Sequence, residues 1–335
     1  MINLCIGLSQ NQITSYERLI KEKLFEKGAT VLVTNKTIGV QEGLWDKVIY
    51  SNNSFNNQSK NGFKAIINII SKIKQYKAII KKLSVYKKEK NITLYFTYIE
   101  DILTNYLLLS FNSNLKGIVV EDGTLNYYPH TIKFLSRKKI ILKWFLSNLY
   151  NLRFKLYKGH SSGIEYKHVI KQYVRVPELS MFPNKSINLP YPKRTNELKN
   201  TILIIGQESY INQEGEQKYI ESLLKMFSII KTKKYYKNIS KVYYKPHRNG
   251  KRLNLDWLEN QFKDINFKYL EVDTSLEDLY FDNLGSKYIF TFDSSALLNI
   301  FLEHKDKDKI ELNVVLSYNK LLEPVFNRFK FKIYK

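Results

Sequence analysis

Two adjacent carboxylates stand directly after an apolar run near the middle of the chain, in the stretch IVVEDG. Residues 118–120 have the composition of a buried strand end, so Glu121, Asp122 and Gly123 are predicted to follow the carboxyl end of that strand. Open α/β sheets bind their ligands at this edge. A simple turn is the alternative, because Asp and Gly are common turn residues.

Basic and hydroxyl side chains occupy two corresponding positions in the second half. In YYKPHRNG, Pro246 ends a predicted strand and holds His247 in extended geometry, with Lys245 adding positive charge. In FTFDSSALLNIF, Ser294 and Ser295 lie between a predicted strand and a helix, where hydroxyls and free N–H groups can bind an anion. Both stretches suit a phosphate. A structural histidine and an ordinary helix cap are the alternatives.

The elements that position these residues alternate between strands and helices. A first helix is predicted over SYERLIKEKLFEKG, closed by Gly28, and further helical patterns follow at residues 61–90 and 101–111. The alternation predicts a parallel sheet with helices on its faces. The strands of this half are predicted over INLCIGL, TVLVTN, ITLYFTY and GIVVEDG.

The same α/β pattern restarts after a proline-rich stretch at residues 177–193, which is typical of an interdomain linker. We therefore predict two doubly wound Rossmann-like domains facing a cleft, over residues 1–185 and 197–335. The predicted strands of the second domain are TILIIGQ, KVYYKPH, FKYLE, KYIFTF and LNVVLSY, and its predicted helices are GEQKYIESLLKMFSII, SLEDLYFDN and SSALLNIFLEH.

Composition favours a folded protein with an anionic partner. The chain has 335 residues, 44% hydrophobic and 14% aromatic, with 54 Lys and Arg against 31 Asp and Glu, a formal net charge of +23. Cys5 is the only cysteine, which excludes an intrachain disulfide and a cysteine-based metal site. The N-terminal MINLCIGLSQ has no basic leader, and no window reaches the roughly 18 to 20 apolar residues of a membrane span. A cytoplasmic protein is expected.

The order EDG, KPH and SS resembles the bacterial sialyltransferases of glycosyltransferase family 52, which act on lipooligosaccharides and capsules. The stretches ILIIGQES and SLEDLYF also look like that family's GQ strand and acidic helix start. The family has His–Pro where this chain has Pro246 before His247. The resemblance implies the two-domain GT-B fold. It also implies a nucleotide sugar as donor, a glycan or glycolipid as acceptor, and a nucleotide-sugar-binding second domain.

The resemblance further implies an inverting transfer of sialic acid from CMP-sialic acid. Asp122 matches the family's general base, and His247 matches the residue that hydrogen-bonds or protonates the leaving phosphate. Ser294 and Ser295 match its phosphate contacts, and Glu277 is a candidate for the ribose or base. The predicted substrate- and nucleotide-binding positions are Glu121, Gly123, Gly206, Gln207, Lys245, Glu277, Ser294 and Ser295.

No metal or other cofactor is expected, because protein donors can neutralise the single phosphate of this donor. The stretch DKDK contains Asp306 and Asp308, which mimic the metal-binding Asp-x-Asp of another glycosyltransferase fold. This stretch is interpreted as a solvated charge run. The alternative donor is another nucleotide sugar.

A basic aromatic segment from Lys133 to Lys158 suits peripheral contact with an anionic membrane, at the inner face of the cytoplasmic membrane. Residues 124–164 contain no Asp or Glu. An ordinary amphipathic helix is the alternative. A basic nucleic-acid- or membrane-binding protein is the competing class, but no nucleic-acid motif is present, and no nucleic-acid partner is expected. The acceptor, the linkage and the oligomeric state stay open, a homodimer included.

Overall fold

The structure is a computed structural model that describes residues 1–51, 62–131, 137–247, 250–271, 274–315 and 318–335. The chain divides into two compact units, Met1–Pro190 and Tyr191–Lys335. Each unit is built around one parallel β-sheet. Among the described residues, no helix combines the length and apolar character that crossing a membrane requires.

The sheet of the first unit has seven parallel strands in the order β3-β2-β1-β4-β5-β6-β7 over the described residues. The strands are Ile2–Ile6 (β1), Ala29–Asn35 (β2), Lys47–Ser51 (β3), Ile92–Phe96 (β4), Lys116–Val120 (β5), Val169–Val174 (β6) and Ser186–Asn188 (β7). The helices are Gln10–Lys21 (α1), Gly62–Leu83 (α2), Ile102–Tyr106 (α3) and Arg137–Leu149 (α4). A π-helical turn, Leu107–Phe111, continues α3.

Alternation along the strands supplies a core on each face of this sheet. Leu4 and Ile6 pack in the same cluster as Ile73 of α2 and Leu103 of α3. Cys5, between them, packs in a second cluster with Tyr16 of α1. Successive side chains of a strand point to opposite faces, so a strand buried on both faces reads as a continuous apolar run.

The first helix differs from its predicted bounds. It begins at Gln10, because Ser9 Oγ accepts a hydrogen bond from the N–H of Gln12 (3.4 Å) and caps the helix. It ends at Lys21, and Lys23 follows with a left-handed φ of 55°. Gly28 therefore does not close the helix; a Cβ there would lie 2.4 Å from the carbonyl oxygen of Met1, so glycine permits a close backbone approach before β2.

The second unit has six parallel strands in the order β10-β9-β8-β11-β12-β13 over the described residues. The strands are Lys199–Ile205 (β8), Lys241–Lys245 (β9), Phe267–Tyr269 (β10), Ser286–Thr291 (β11), Glu311–Val315 (β12) and Lys332–Tyr334 (β13). The helices are Ile211–Glu214 (α5), Glu216–Lys231 (α6), Leu255–Gln261 (α7), Leu276–Leu279 (α8), Ser295–Glu303 (α9) and Glu323–Arg328 (α10).

Both sheets share the 3-2-1-4-5-6 strand order of the Rossmann fold, extended by one strand in the first unit. The direction of winding reverses between β1 and β4 in one sheet and between β8 and β11 in the other. Ligands of doubly wound folds bind outside the carboxyl ends of the strands at such a reversal. The predicted architecture of two doubly wound α/β domains is confirmed. A ligand-binding site is expected at the carboxyl edge of each sheet, beside these reversals.

Candidate active site

Glu121 is the first residue after β5, and the protein itself engages both of its carboxylate oxygens. Oε1 accepts from Nε of Arg175 (2.7 Å) and lies 2.5 Å from Nη2 of the same residue. Oε2 accepts from the N–H of Arg175 (2.6 Å) and from the hydroxyl of Tyr127 (2.6 Å). The side chain is buried. Glu121 was predicted to bind substrate, but the structure gives it a buried ion pair that joins β5 to the end of β6.

Asp122, the next residue, is held on one side only. Its Oδ2 accepts a hydrogen bond from Nε2 of Gln12 (2.7 Å), and no described residue donates a hydrogen bond to its Oδ1. Burial raises the pKa of the Asp122 carboxyl, and the charge of Glu121 also raises it; the Gln12 hydrogen bond and the charge of Arg175 act against this rise. A half-buried carboxylate with one unoccupied oxygen and a raised pKa can accept a proton.

Gly123 has a φ of 64°, in the left-handed region that glycine adopts without strain. It allows the chain to turn sharply after Asp122. The backbone conformation of this turn is therefore sufficient to account for a glycine at position 123, and no contact with a ligand is needed to explain it.

The loop after β4 adds residues at the same edge that sequence reasoning missed. Glu100 has a buried Oε2 without a hydrogen-bond partner among the described residues. Burial raises its pKa to about 7, opposed by the charge of Lys143 and reinforced by those of Asp101 and Asp122. Lys143 of α4 donates a hydrogen bond to the carbonyl oxygen of Glu100 (3.0 Å). The only sequence signal was the position of Glu100 shortly after a predicted strand.

In the second unit, Glu208 organises the end of β8, and sequence reasoning also missed its role. This fully buried carboxylate accepts from the hydroxyl of Tyr244 (2.5 Å) and from the backbone N–H of His247 (2.6 Å). A Cβ at Gly206 would lie 2.5 Å from Oε1 of Glu208, so glycine is needed for this arrangement. Glu208 thereby joins the predicted residues Gly206 and His247 at one edge.

The end of β9 places Lys245 and His247 beside that carboxylate. Lys245 is buried, and its carbonyl oxygen accepts from the N–H of Gly206 (2.9 Å). His247 is half-buried. Arg252 donates to the carbonyl oxygen of His247 (3.0 Å) and pairs with Glu271. The neighbouring Arg248 of the KPH stretch lies outside the described residues.

The turn between β11 and α9 contains both predicted serines. Ser294 is the N-cap of α9, with its Oγ accepting from the N–H of Ala296 (3.3 Å), and Ser295 is the first residue of the helix. Gln207 Oε1 accepts from the N–H of Asp293 (3.3 Å), so the GQ and SS stretches meet. Asp293 itself accepts from the N–H of Asn319 (2.8 Å), and burial raises its pKa to about 6.

Glu277 lies in α8, apart from this hydrogen-bonded group. Its carboxylate accepts a hydrogen bond from the side-chain amide of Asn299 in α9, more than one helical turn beyond Ser294. The structure thus brings Gly206, Gln207, Lys245, His247, Ser294 and Ser295 to the carboxyl edge of one sheet, and it connects Glu277 to the body of α9.

The DKDK stretch, which mimics a metal-binding Asp-x-Asp, contains an ion pair. Asp306 lies 3.2 Å from Nζ of Lys309, and Asp308 falls in the short 3₁₀ turn beside it. Across the part of the chain that the structure describes, no group of three or more His, Cys, Asp or Glu side chains is arranged to hold a metal ion. Metal independence stays a prediction.

The two-sheet architecture matches solved structures. The glycotransferase of kitacinnamycin matches with a TM-score of 0.54 and 10% identity, covering 100% of this chain and 85% of that one. A UDP-glucosyltransferase from Polygonum tinctorium matches with a TM-score of 0.51 and 6% identity, covering 97% and 82%. A glycosyltransferase from Streptomyces nogalater matches with a TM-score of 0.50 and 10% identity, covering 100% and 86%.

The chain has the GT-B fold. No protein-family profile matches the sequence, and no curated protein matches it. The predicted GT-B architecture is confirmed, since two Rossmann-like sheets and the matching structures agree.

Proposed function

We propose that this GT-B protein is an inverting, metal-independent glycosyltransferase that moves sialic acid from CMP-sialic acid to a terminal sugar of a lipooligosaccharide or capsular glycan. The observation that carries the proposal is Asp122, a half-buried carboxylate at the end of β5 with one oxygen held by Gln12 and the other unoccupied among the described residues. A turn aspartate has no need of such an environment. The order of the EDG, KPH and SS stretches supports sialic acid as the transferred sugar.

The proposed roles follow from the charge changes of the reaction. Asp122 takes the proton of the acceptor hydroxyl as that oxygen attacks the anomeric carbon. At the edge of the second unit, Lys245, His247 and the α9 N-terminus with Ser294 and Ser295 bind the donor phosphate and stabilise the charge that it gains on leaving. This edge suits a leaving anion because its own buried acid, Glu208, is already paired with Tyr244 and a backbone N–H.

The donor is tested by heat protection of the purified protein with CMP, UDP, GDP and their sugars. We expect CMP or CMP-sialic acid to give the largest rise in melting temperature, since a ligand at 100 times its Kd adds about 2.7 kcal/mol. EDTA should change neither binding nor transfer. Stronger protection by UDP, or loss of activity on chelation, would contradict the sialyltransferase proposal.

The second candidate is a GT-B transferase that uses another nucleotide sugar. One structural match is itself a UDP-glucosyltransferase, which favours this alternative over a protein of a different class. The same nucleotide series separates the two candidates. A protein protected by none of the nucleotides would instead fit a binding protein.

A membrane-bound acceptor would suit an apolar stripe on α4. Ile141, Trp144, Phe145 and Leu149 follow the i, i+3, i+4, i+8 spacing of one helix face, and all are exposed, Leu149 by 62%. The preceding residues 137–139 are basic and exposed. Phe154 of the same predicted segment is buried instead, and Lys133 lies outside the described residues. We propose that this stripe contacts an anionic membrane at the cytoplasmic face.

Vesicle sedimentation tests this contact. The wild-type protein should sediment with anionic vesicles at low salt and be released at high salt. The double variant Trp144→Ser/Phe145→Ser should lose most of this binding, whereas Leu224→Ser, which removes an exposed apolar side chain of α6, should bind as wild type does. Equal binding to neutral vesicles, or equal loss in both variants, would leave α4 as an ordinary surface helix.

A further inference from the structure

Two hydrogen bonds of the Gln12 side chain, those to Leu8 and Asp122, have directions that are fixed by chemistry. Gln12 lies in the first turn of α1 with an exposure of only 1%. Its Oε1 accepts from the N–H of Leu8 (2.7 Å), and its Nε2 donates to Oδ2 of Asp122 (2.7 Å). A backbone N–H can only donate, so the amide oxygen must face Leu8 and the NH₂ group must face Asp122.

This arrangement presents the Asp122 carboxylate in one orientation. Oδ2 is tied to the loop between β1 and α1, and Oδ1 accepts no hydrogen bond from the described residues. The N-terminal end of α1, capped by Ser9, also favours a negative charge beside it. Both effects stabilise the ionised form of a carboxyl whose pKa burial raises.

We propose that Gln12 is a positioning residue that holds Asp122 ionised and aims Oδ1 at the acceptor hydroxyl; this inference rests on the proposed function. The acceptor oxygen gives its proton to Oδ1 and forms the bond to the donor's anomeric carbon. The bond from that carbon to the phosphate oxygen breaks, and its electron pair leaves with the nucleotide phosphate. Gln12 gives up no proton and needs no contact with either substrate.

Several other charged or titratable groups face Asp122, and the test must separate Gln12 from them. Glu121 adjoins Asp122 in the chain, and Arg175 approaches from β6. Tyr98 and Glu100 approach from the loop after β4, and Tyr16 from α1; the Asp122 charge raises the pKa of all three. A substitution at Gln12 leaves Glu121, Arg175, Glu100 and Tyr16 in place but also removes a side-chain hydrogen bond between Gln12 and Tyr98. In Tyr98→Phe, which keeps the amide, the titration of Asp122 should therefore stay where the wild type has it.

The test compares the pH dependence of kcat/KM in the wild type, Gln12→Met and Gln12→Glu. Methionine preserves the length of the side chain and removes both hydrogen bonds. Glutamate retains the Oε1 acceptor for Leu8 and removes the donor to Asp122. In both variants we expect the acidic limb of kcat/KM to move up by about one to two pH units, because the ionised carboxylate has lost its hydrogen bond. Activity at neutral pH should fall with it.

Gln10→Met is the matched control. Gln10 lies in the same helical turn and also makes two side-chain hydrogen bonds, both to the backbone of Gly39 (3.0 Å each). Its loss removes as many contacts without touching Asp122. The acidic limb of this variant should stay where the wild type has it.

A readout independent of transfer distinguishes failure of this inference from failure of the proposed function. The Asp122 carboxyl is titrated by ¹³C NMR in selectively labelled protein and assigned with Asp122→Asn. An unmoved carboxyl titration in both Gln12 variants overturns the inference, even where their stability falls. A moved titration in a protein whose Asp122→Asn variant retains full turnover overturns the proposed base, while the Gln12 contact stands.

Discussion

The carboxyl edges of the two sheets share one strand order but treat buried acids differently. In the first unit, Asp122 has one hydrogen-bond donor and an unoccupied oxygen among the described residues. In the second unit, Glu208 has both oxygens bound, by Tyr244 and by the N–H of His247. The difference teaches that one strand order can leave a carboxylate oxygen accessible at one edge and bind both oxygens at the other; under the proposed function, the first edge accepts a proton and the second binds an anion.

A second contrast lies within the first edge, between neighbouring residues. Glu121 is buried and paired with Arg175, whereas Asp122 is half-buried and receives its one side-chain hydrogen bond from the described residues through the amide of Gln12. Alternation along the end of β5 turns the two carboxylates in different directions. We therefore expect Glu121 to act mainly in the architecture and Asp122 in the proposed chemistry, so substitutions at the two positions should have separable effects.

The largest expected effect is on turnover in Asp122→Asn. Asparagine keeps the shape of the side chain but cannot accept a proton, so turnover should fall by about 10² to 10⁴. Nucleotide affinity and the melting temperature should stay nearly constant. In the wild type, activity should fall as the pH drops through the raised pKa of Asp122, because the base must be ionised. Wild-type turnover in this variant would show that Asp122 is not the base and that the EDG stretch serves only as a turn.

Next in size is the loss of stability in Glu121→Ala. Removing one partner of a buried ion pair is strongly destabilising, and here it deprives Arg175 of the carboxylate that binds its side chain and backbone, at a cost of about 3 kcal/mol. The melting temperature should fall while turnover, measured well below it, changes little. Unchanged stability combined with lost turnover would instead assign Glu121 to the chemistry and would break the contrast between the two neighbours.

Removing proposed phosphate contacts of the second edge should have an intermediate effect, on nucleotide affinity. His247→Ala and Ser295→Ala should each weaken CMP binding by roughly 1.5 to 3 kcal/mol per lost charge-assisted hydrogen bond, measured by calorimetry. The fold should survive His247→Ala because Glu208 binds the backbone N–H of His247 and not its ring.

Ser294→Ala needs a control because this serine also caps α9. Asn254→Ala removes the side-chain cap of α7, which carries no predicted nucleotide contact, and should leave CMP affinity unchanged. Equal affinities in all four variants would place the phosphate elsewhere.

The smallest expected effect is a pH-dependent gain of stability in Asp293→Asn. Burial raises the pKa of Asp293 to about 6, so the folded state binds a proton that the unfolded state has already released above pH 4. Stability from this group is present at low pH and is lost as the pH rises from about 4 to 6. Asparagine removes this loss. Relative to the wild type, Asp293→Asn should therefore be more stable at pH 8 than at pH 4, and the gain in its free energy of unfolding between the two pH values should be on the order of 1 to 2 kcal/mol. An equal difference at both pH values would contradict the assignment.

The fold was predictable because strand and helix periodicities alternate clearly along most of the chain. The strands β3, β6, β7 and β13 were not predicted, since three to six residues give little periodic signal. The first helix was placed too late because its start depends on a cap, Ser9, and its end on the left-handed Lys23. Such local backbone choices are weakly encoded in composition.

The candidate site was predictable only where its residues follow strands. Asp122 and His247 could be found in this way. Gln12 could not, because its partner Asp122 is 110 residues away, and neither could the pairing of Arg175 with Glu121 across 54 residues. Glu208 was part of a quoted stretch, but its role depends on Tyr244, a contact that only the folded sheet creates.

The central position of β1 has a consequence for how the chain folds. Ile2 pairs with Ile92, so the middle of the first sheet cannot form until β4 has left the ribosome. At about 5 to 20 residues per second, the 90 intervening residues take roughly 5 to 18 s to synthesise. During that interval β1 and β2 present unpaired edges and apolar faces, which are templates for association with other chains. The strand order that builds the candidate site therefore also leaves unpaired edges of the nascent chain open to association before the site can form.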